Sequence, residues 1–419
     1  MTRRIIFTNA AQVVTCAGGP RGRRGIEMTD AAVVTGVAIA VDGDRIAGLG
    51  AIADVERTFP DAETIDCAGR VVTPGLVDSH THAVFGRPRF DEQELRAAGA
   101  GYMEIAERGG GIHSSVRDLR SRSVDDLLAL ARTRLRRIAN YGATTIEIKS
   151  GYGLSVEDEL KTLRVVARLQ RETPLRLIPT WLGGHEIPRE HRARDGGRDD
   201  YVEQLVHEQL PQVATEGLAS FADVFCEPGV FTLAETRTIL SAARARGLGL
   251  KLHADELEPC GGAELAAELG ATSADHLAAI SPAGIQALAR SDTVATLLPG
   301  TMFFLGRTRQ APARDLIAAG AIVALATDFN PGTSPTPNLP LIMTMGVSQL
   351  HMSVAEVILA TTVNGAAALG LADSVGQLAP GFSADIALWD CEDLREIPYW
   401  YGDARCAASW CRGELVHAS

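Results

Sequence analysis

The chain has 419 residues, 46% of them hydrophobic and 22% charged, and carries a net charge of −12. That make-up is ordinary for a globular protein too long for one average domain, so one large barrel or two to three domains are expected. The acidic balance, without Lys/Arg blocks interleaved with aromatics, argues against nucleic acid and anionic membrane surfaces as partners. No apolar run is long enough to span a bilayer.

The first stretch, MTRRIIFTNAAQVV, lacks the apolar core and small-residue cleavage site of a signal peptide. The seven cysteines are an odd number, scattered, and form no C-x-x-C pair. They suit reduced thiols, so a cytoplasmic protein is expected, with neither a disulfide framework nor a thiolate zinc site.

Residues 1–70 read as all-β. Short apolar runs at 5–8, 33–41 and 46–49 are separated by turn residues, and Asp42-Gly43-Asp44 is a hairpin signal. The next stretch, VVTPGLVDSHTH over 71–82, begins as a strand of branched apolar residues, interrupted by Pro74-Gly75. From residue 76 the character changes, and apolar strands alternate with helical stretches. Strand candidates fall at 76–82, 144–149, 175–181, 223–226, 250–254, 273–277, 293–298 and 322–327. The helices between them have sensible ends. Ser123 can cap 124–140 with Gly142 beyond, 233–246 stops at Gly247, and Ser281-Pro282 opens 282–290.

Two connections are long, and long connections in a compact domain are usually functional or disordered. Residues 84–116 carry Arg89, Tyr102 and Gly109-Gly110-Gly111 and read as an active-site wall. Residues 183–200 carry His185, with a mobile tip at 192–200. After about residue 368 short strands return, at 385–389 and 410–416.

Eight β/α alternations describe an α/β fold, a (β/α)8 TIM-like barrel over 71–367. The segments 1–70 and 368–419 are expected to pair into one small β-sandwich domain beside it. An open doubly wound sheet lacks support, because no G-x-G-x-x-G follows any strand.

In such a barrel the active site lies at the C-terminal ends of the strands. Five of the ten histidines (His80, His82, His185, His253 and His276) fall at or just past those ends. His80 and His82 end the first strand as H-x-H, and positions i and i+2 share a strand face, so two imidazoles can hold one transition metal. Two satisfied core histidines are the plainer alternative, but the apolar strand, Pro-Gly and Asp78 ahead of them favour metal.

The motifs DSHTH (78–82), KLHADE (251–256), SADHL (273–277) and ATDFNPGT (326–333), in this order, resemble the amidohydrolase superfamily. The flanking FGRPR, GGGI, EIKSGYG and LLPGTMFFL are similar to one branch of it, the ring-opening hydrolases of histidine breakdown. The resemblance covers nearly the whole barrel, and ADIALWD (384–390) matches the returning β-domain. It implies one divalent metal, Zn2+ or Fe2+/Fe3+, held by His80, His82, His253 and Asp328. It implies hydrolysis of 4-imidazolone-5-propanoate to N-formimidoyl-L-glutamate by a metal-activated hydroxide. A bound metal lowers the pKa of water from ~16 to about 7.

On the same resemblance, Glu256, His276 and Asp328 are the catalytic candidates: Glu256 for the water and the ring, His276 for the oxyanion, Asp328 as a proton shuttle. Arg89 is expected to grip the substrate's propionate arm, since a guanidinium matches a carboxylate fork for fork. Tyr102, Tyr152, His185, Glu256, Asn330, Gly332 and Thr333 would line the imidazolone. A homodimer is compatible with the resemblance. Two other readings are a deaminase or other cyclic-amide hydrolase, whose purine or pyrimidine substrate would leave Arg89 without a carboxylate, and a metal-free scaffolding relative, against which the full ligand set speaks. Lys149, ending the second strand, could be a carboxylated metal bridge, as in some superfamily members, or a lysine paired with Glu147; the second is preferred.

Overall fold

The computed structural model describes residues 3–99 and 110–419. Tyr102 and Gly109 therefore lie outside the described residues. Eight parallel strands form the barrel wall. They are β1 (Leu76–Asp78), β2 (Ala143–Lys149), β3 (Arg176–Gly184), β4 (Phe221–Cys226), β5 (Gly249–Ala254), β6 (Ser273–His276), β7 (Val294–Leu297) and β8 (Val323–Leu325), each paired with the next. The ring closes just past the ends of β1 and β8. Thr81 bridges Phe329 in parallel, the His82 amide donates to Phe329 O at 2.8 Å, and the Asp328 amide donates to His80 O at 3.0 Å. The ring thus closes on the residues that carry the site.

The anticipated helix caps are present. Ser123 caps Val124–Ala139 by accepting from the Asp126 amide, and Ser281 caps Pro282–Ala289. The long connection after β1 is not bare loop. It holds helices Phe90–Ala97 and Ile112–Ser121, the second with Ile112, Val116 and Leu119 at helical spacing on one face. Likewise, β3 runs on to Gly184, and helices Arg189–Arg192 and Gly197–Gln204 occupy the segment expected to be a mobile tip.

The terminal segments build two sheets. One contains Arg4–Thr8, Val37–Asp42, Arg45–Ala51 and Glu63–Asp66. The other contains Gln12–Val14, Val33–Val34, Val71–Pro74, Ile386–Trp389, Cys406–Cys411 and Glu414–Ala418. Ile5, Phe7, Ile39 and Val41 of the first meet Val13, Val72, Ile386 and Trp410 of the second in one buried cluster, a sandwich core. The anticipated hairpin at Gly43 forms, with Gly43 at φ 61°. Residues 1–70 are not purely β, since Gly25–Thr29 and Ile52–Thr58 are helical. The strand expected at 410–416 is two strands, turned at Arg412-Gly413.

The stretch 71–82 divides at Pro74-Gly75. Val71–Pro74 pairs with Ile386–Trp389 and Gln12–Val14, whereas Leu76–Asp78 pairs with β2. A Cβ on Gly75 would lie 2.2 Å from Thr144 Oγ1, so the chain passes between the two sheets where a side chain has no room. Among the described residues no helix is long and apolar enough to cross a membrane.

Candidate metal centre and active site

The extended segment after β1 brings His80 and His82 to the rim, with ring centroids 5.4 Å apart. The His253 ring, near the end of β5, lies 4.6 Å from that of His80. Asp328, just past β8, places Oδ1 3.5 Å from both His80 Nε2 and His82 Nε2. His276, ending β6, joins the same cluster, its ring 5.1 Å from that of His253. Potential ligand atoms of His80, His82 and Asp328, and of His80, His253 and His276, lie within 4.8 Å of one another. The geometry therefore gathers all four expected ligands and His276 into one buried group.

A cation fits this group. His80 Nε2 is buried without a hydrogen-bond partner and faces a carboxylate oxygen. Burial first, and then the Lys149 charge, hold His80 well below the usual histidine range. Burial and the neighbouring His185 do the same for His82. Both rings are therefore neutral, the form that ligates. Imidazole nitrogens with one carboxylate are a first-row transition-metal donor set. Asp328 is pushed up to about 6 by burial, against the pull of a hydrogen bond from Thr301. Thr301 Oγ1 donates to Asp328 Oδ2 at 2.6 Å, leaving Oδ1 for the cluster.

Carboxylates behind the ligands orient them. His80 Nδ1 donates to Asp275 Oδ2 at 2.7 Å, and His253 Nδ1 lies 3.0 Å from Asp223 Oδ2. With His80 Nδ1 so engaged and His253 Nδ1 facing a carboxylate, Nε2 is in each ring the nitrogen left to bind metal. Asp223, Asp275 and Thr301, which touch expected ligands, are positions that the sequence reading did not select. The available signal was an aspartate inside an apolar strand, which must be partnered to be buried there.

Glu256 lies beyond β5, with Oε2 3.5 Å from His276 Nδ1. Burial, then Asp328 and Glu227, hold its carboxyl well above the usual range. Glu227, also not anticipated, accepts from the amides of residues 256, 257 and 258 and so fixes the turn that carries Glu256. His276 sits at φ 79° and Asp328 at φ 50°, left-handed backbone that concentrates strain at the rim. Burial holds His276 well below the usual histidine range.

The substrate-side candidates divide into two groups. Tyr152 and His185 face the metal cluster, and the His185 ring stacks on His82 at 5.2 Å and 18°. His185 Nδ1 donates to Gly151 O at 2.9 Å, and burial pushes its pKa down to about 3, so its Nε2 is an acceptor. Arg89 is partly buried, with Nε lacking a hydrogen-bond partner and 3.7 Å from Glu92. Its guanidinium lies against Gly332, where a Cβ would come within 1.4 Å of Nη2. Asn330 and Thr333 are engaged differently. Asn330 Oδ1 accepts from the Gly332 and Thr333 amides, and Nδ2 donates to Asp328 O and Thr333 Oγ1. These side chains shape the loop over which Arg89 lies. Trp181 is buried and donates to Gln209, a packing role. Lys149 is paired with Glu147, as preferred, and also with Asp223.

The fold and this rim define a metal-dependent hydrolase, and the chain belongs to the amidohydrolase family, whose sequence profile matches residues 71–416. Several of its relatives carry one name. It is 47% identical over 416 residues to the imidazolonepropionase of Symbiobacterium thermophilum, covering 98% of this chain and 97% of that one. It is 45% identical to the imidazolonepropionase of Solibacter usitatus, again over 98% and 97%. Among solved structures it resembles a zinc-bound adenosine deaminase from Xanthomonas campestris, with a TM-score of 0.73 at 16% identity, covering 99% of this chain and 93% of that one. That likeness speaks for the fold alone.

Proposed function

We infer that the protein catalyses the hydrolytic ring opening of 4-imidazolone-5-propanoate to N-formimidoyl-L-glutamate, the imidazolone step of histidine degradation. The observation that carries the substrate choice is Arg89, a guanidinium whose side chain is 9% exposed and whose Nε has no hydrogen-bond partner. A carboxylate arm is the group it suits. Near-full-length similarity to proteins named for this reaction supports the reading.

His80, His82, His253 and Asp328 would hold one divalent metal, zinc or iron. Bound there, it would supply Lewis acidity and make water a competent nucleophile at neutral pH. The chain's own residues do the rest. Arg89 grips the propionate, while Tyr152 and His185 flank the ring. Glu256 takes the proton released as water adds and returns it to the ring nitrogen as the C–N bond breaks. Its burial suits it to hold that proton between the two transfers. Neutral His276 donates a hydrogen bond to the oxygen that gains charge. Asp328 is the second proton holder.

The test follows loss of the imidazolone ultraviolet band, with substrate generated in situ from urocanate. The wild-type protein is expected to accelerate loss well beyond the spontaneous rate and to yield formiminoglutamate. Glu256→Gln is expected to abolish turnover and retain its metal. Metal loss along with activity would remove Glu256 from this role, and no acceleration by the metal-loaded wild type would overturn the substrate.

A further inference from the structure

Lys149 has no part in the scheme above, yet it is fully buried at the centre of the barrel. Its Nζ lies 2.7 Å from Asp223 Oδ2, 2.9 Å from Glu147 Oε2 and 3.6 Å from Asp275 Oδ2. Two of these oxygens have a second duty. Asp223 Oδ2 faces His253 Nδ1, and Asp275 Oδ2 accepts from His80 Nδ1. One ammonium thus stands behind two carboxylates, and each carboxylate stands behind an imidazole of the metal cluster.

Two carboxylates buried this deeply need an opposite charge close by. Lys149 supplies it, and its own protonation is secure. Burial alone would lower its pKa, but Asp223, Glu147 and Asp275 outweigh that and hold it above the ordinary lysine value. A second buried lysine offers a contrast. Lys251 contacts Glu147 at 3.2 Å and otherwise donates to the carbonyls of Ser79 and Ala368. No contact joins it to Asp223 or Asp275 among the described residues. A third group with cation-binding spacing, His80, Glu147 and Asp275, surrounds the same ammonium and so already has its cation.

We propose that Lys149 is a positioning residue: the shared internal counter-ion of Asp223 and Asp275, which through them keeps His253 and His80 protonated on Nδ1 with Nε2 presented to the metal. The proposal rests on the metal centre described above. It makes the ligand tautomers a property of the folded chain, set before any metal arrives. It also predicts that charge is what matters at position 149, because the nearest isostere without charge fills the same space.

The test compares zinc affinity of full-length wild type, Lys149→Met and Lys251→Met by competition with a chromogenic chelator, with circular dichroism reporting the fold. Lys149→Met is expected to bind zinc about 10- to 100-fold more weakly, the usual effect of losing a group that orients metal ligands. Lys251→Met, which removes an equally buried charge, is expected to bind as wild type does. Equal affinity of Lys149→Met and wild type overturns the proposal, and so does an equal loss in both variants. Absence of zinc binding by wild type would instead sink the metal centre itself. If Lys149→Met does not fold, 15N-histidine spectra of metal-free wild type decide the matter. Nδ1–H tautomers for His80 and His253 are expected, and Nε2–H tautomers overturn the proposal.

Discussion

On the proposed reading, Arg89 concentrates the substrate preference in one side chain. A hydrogen bond to a charged partner contributes about 1.5–3 kcal/mol, so Arg89→Met is expected to raise KM roughly 10- to 150-fold with kcat little changed. Steady-state kinetics on the imidazolone check it, and an equal fall in kcat would instead place Arg89 in the chemical step. Gly332 makes the same point from the other side. A methyl at position 332 would occupy the place of the guanidinium, so Gly332→Ala is expected to reproduce the KM defect without unfolding the protein. Measured side by side, the two variants should agree. An unaltered KM in Gly332→Ala would mean that the guanidinium is free to lie elsewhere.

Residues of this kind were legible to unequal degrees. His80 and His82 stand out as an H-x-H ending an apolar strand, whereas His253 and Asp328 were assigned through the resemblance their motifs carry. Asp275 and Asp223 did not stand out, because their value depends on register. Asp275 is the direct neighbour of His253 across the β5–β6 pairing, and Asp223 lies on the strand before it. Neither fact exists until the strands are paired. Thr301 is more distant still, its use fixed by a helix that begins after β7 and tips its hydroxyl onto Asp328.

At the scale of elements, the eight barrel strands were readable because buried parallel strands are continuous apolar runs bounded by turns. The helices inside the connections after β1 and β3 were not, being short, with stability that comes from what they pack on. The division of 71–82 turns on Gly75. Its neighbour Thr144 leaves no space for a Cβ, so Gly75→Ala is expected to cost about 1–3 kcal/mol by overpacking, lowering the thermal midpoint. A midpoint equal to wild type would show that the crossing between the two sheets is slack. Asn330 is the corresponding device at the rim. Its side chain satisfies the amides of Gly332 and Thr333, so Asn330→Ala is expected to loosen the loop under Arg89 and raise KM.

At the scale of the whole molecule, all seven cysteines are free and none serves the metal centre among the described residues. Burial pushes the thiols of Cys16, Cys67, Cys391, Cys406 and Cys411 up to about 12. Thiolate is the reactive form, and at pH 8 such thiols are ionised at about one part in 10⁴. Titration of the native protein with a chromogenic disulfide is expected to leave these five unmodified until denaturant is added; their rapid reaction would mean that the sandwich and barrel open readily.

The barrel gathers its His/Asp cluster at one rim, and the proposed function depends on a single metal there. Metal-free protein should be titrated with zinc or ferrous iron in sub-stoichiometric steps, with the initial rate of imidazolone ring opening read at each step. The account predicts a rate that rises linearly to one equivalent per chain and then stays flat. Full activity in the metal-free protein, or a rate that continues to climb to two equivalents, would contradict it.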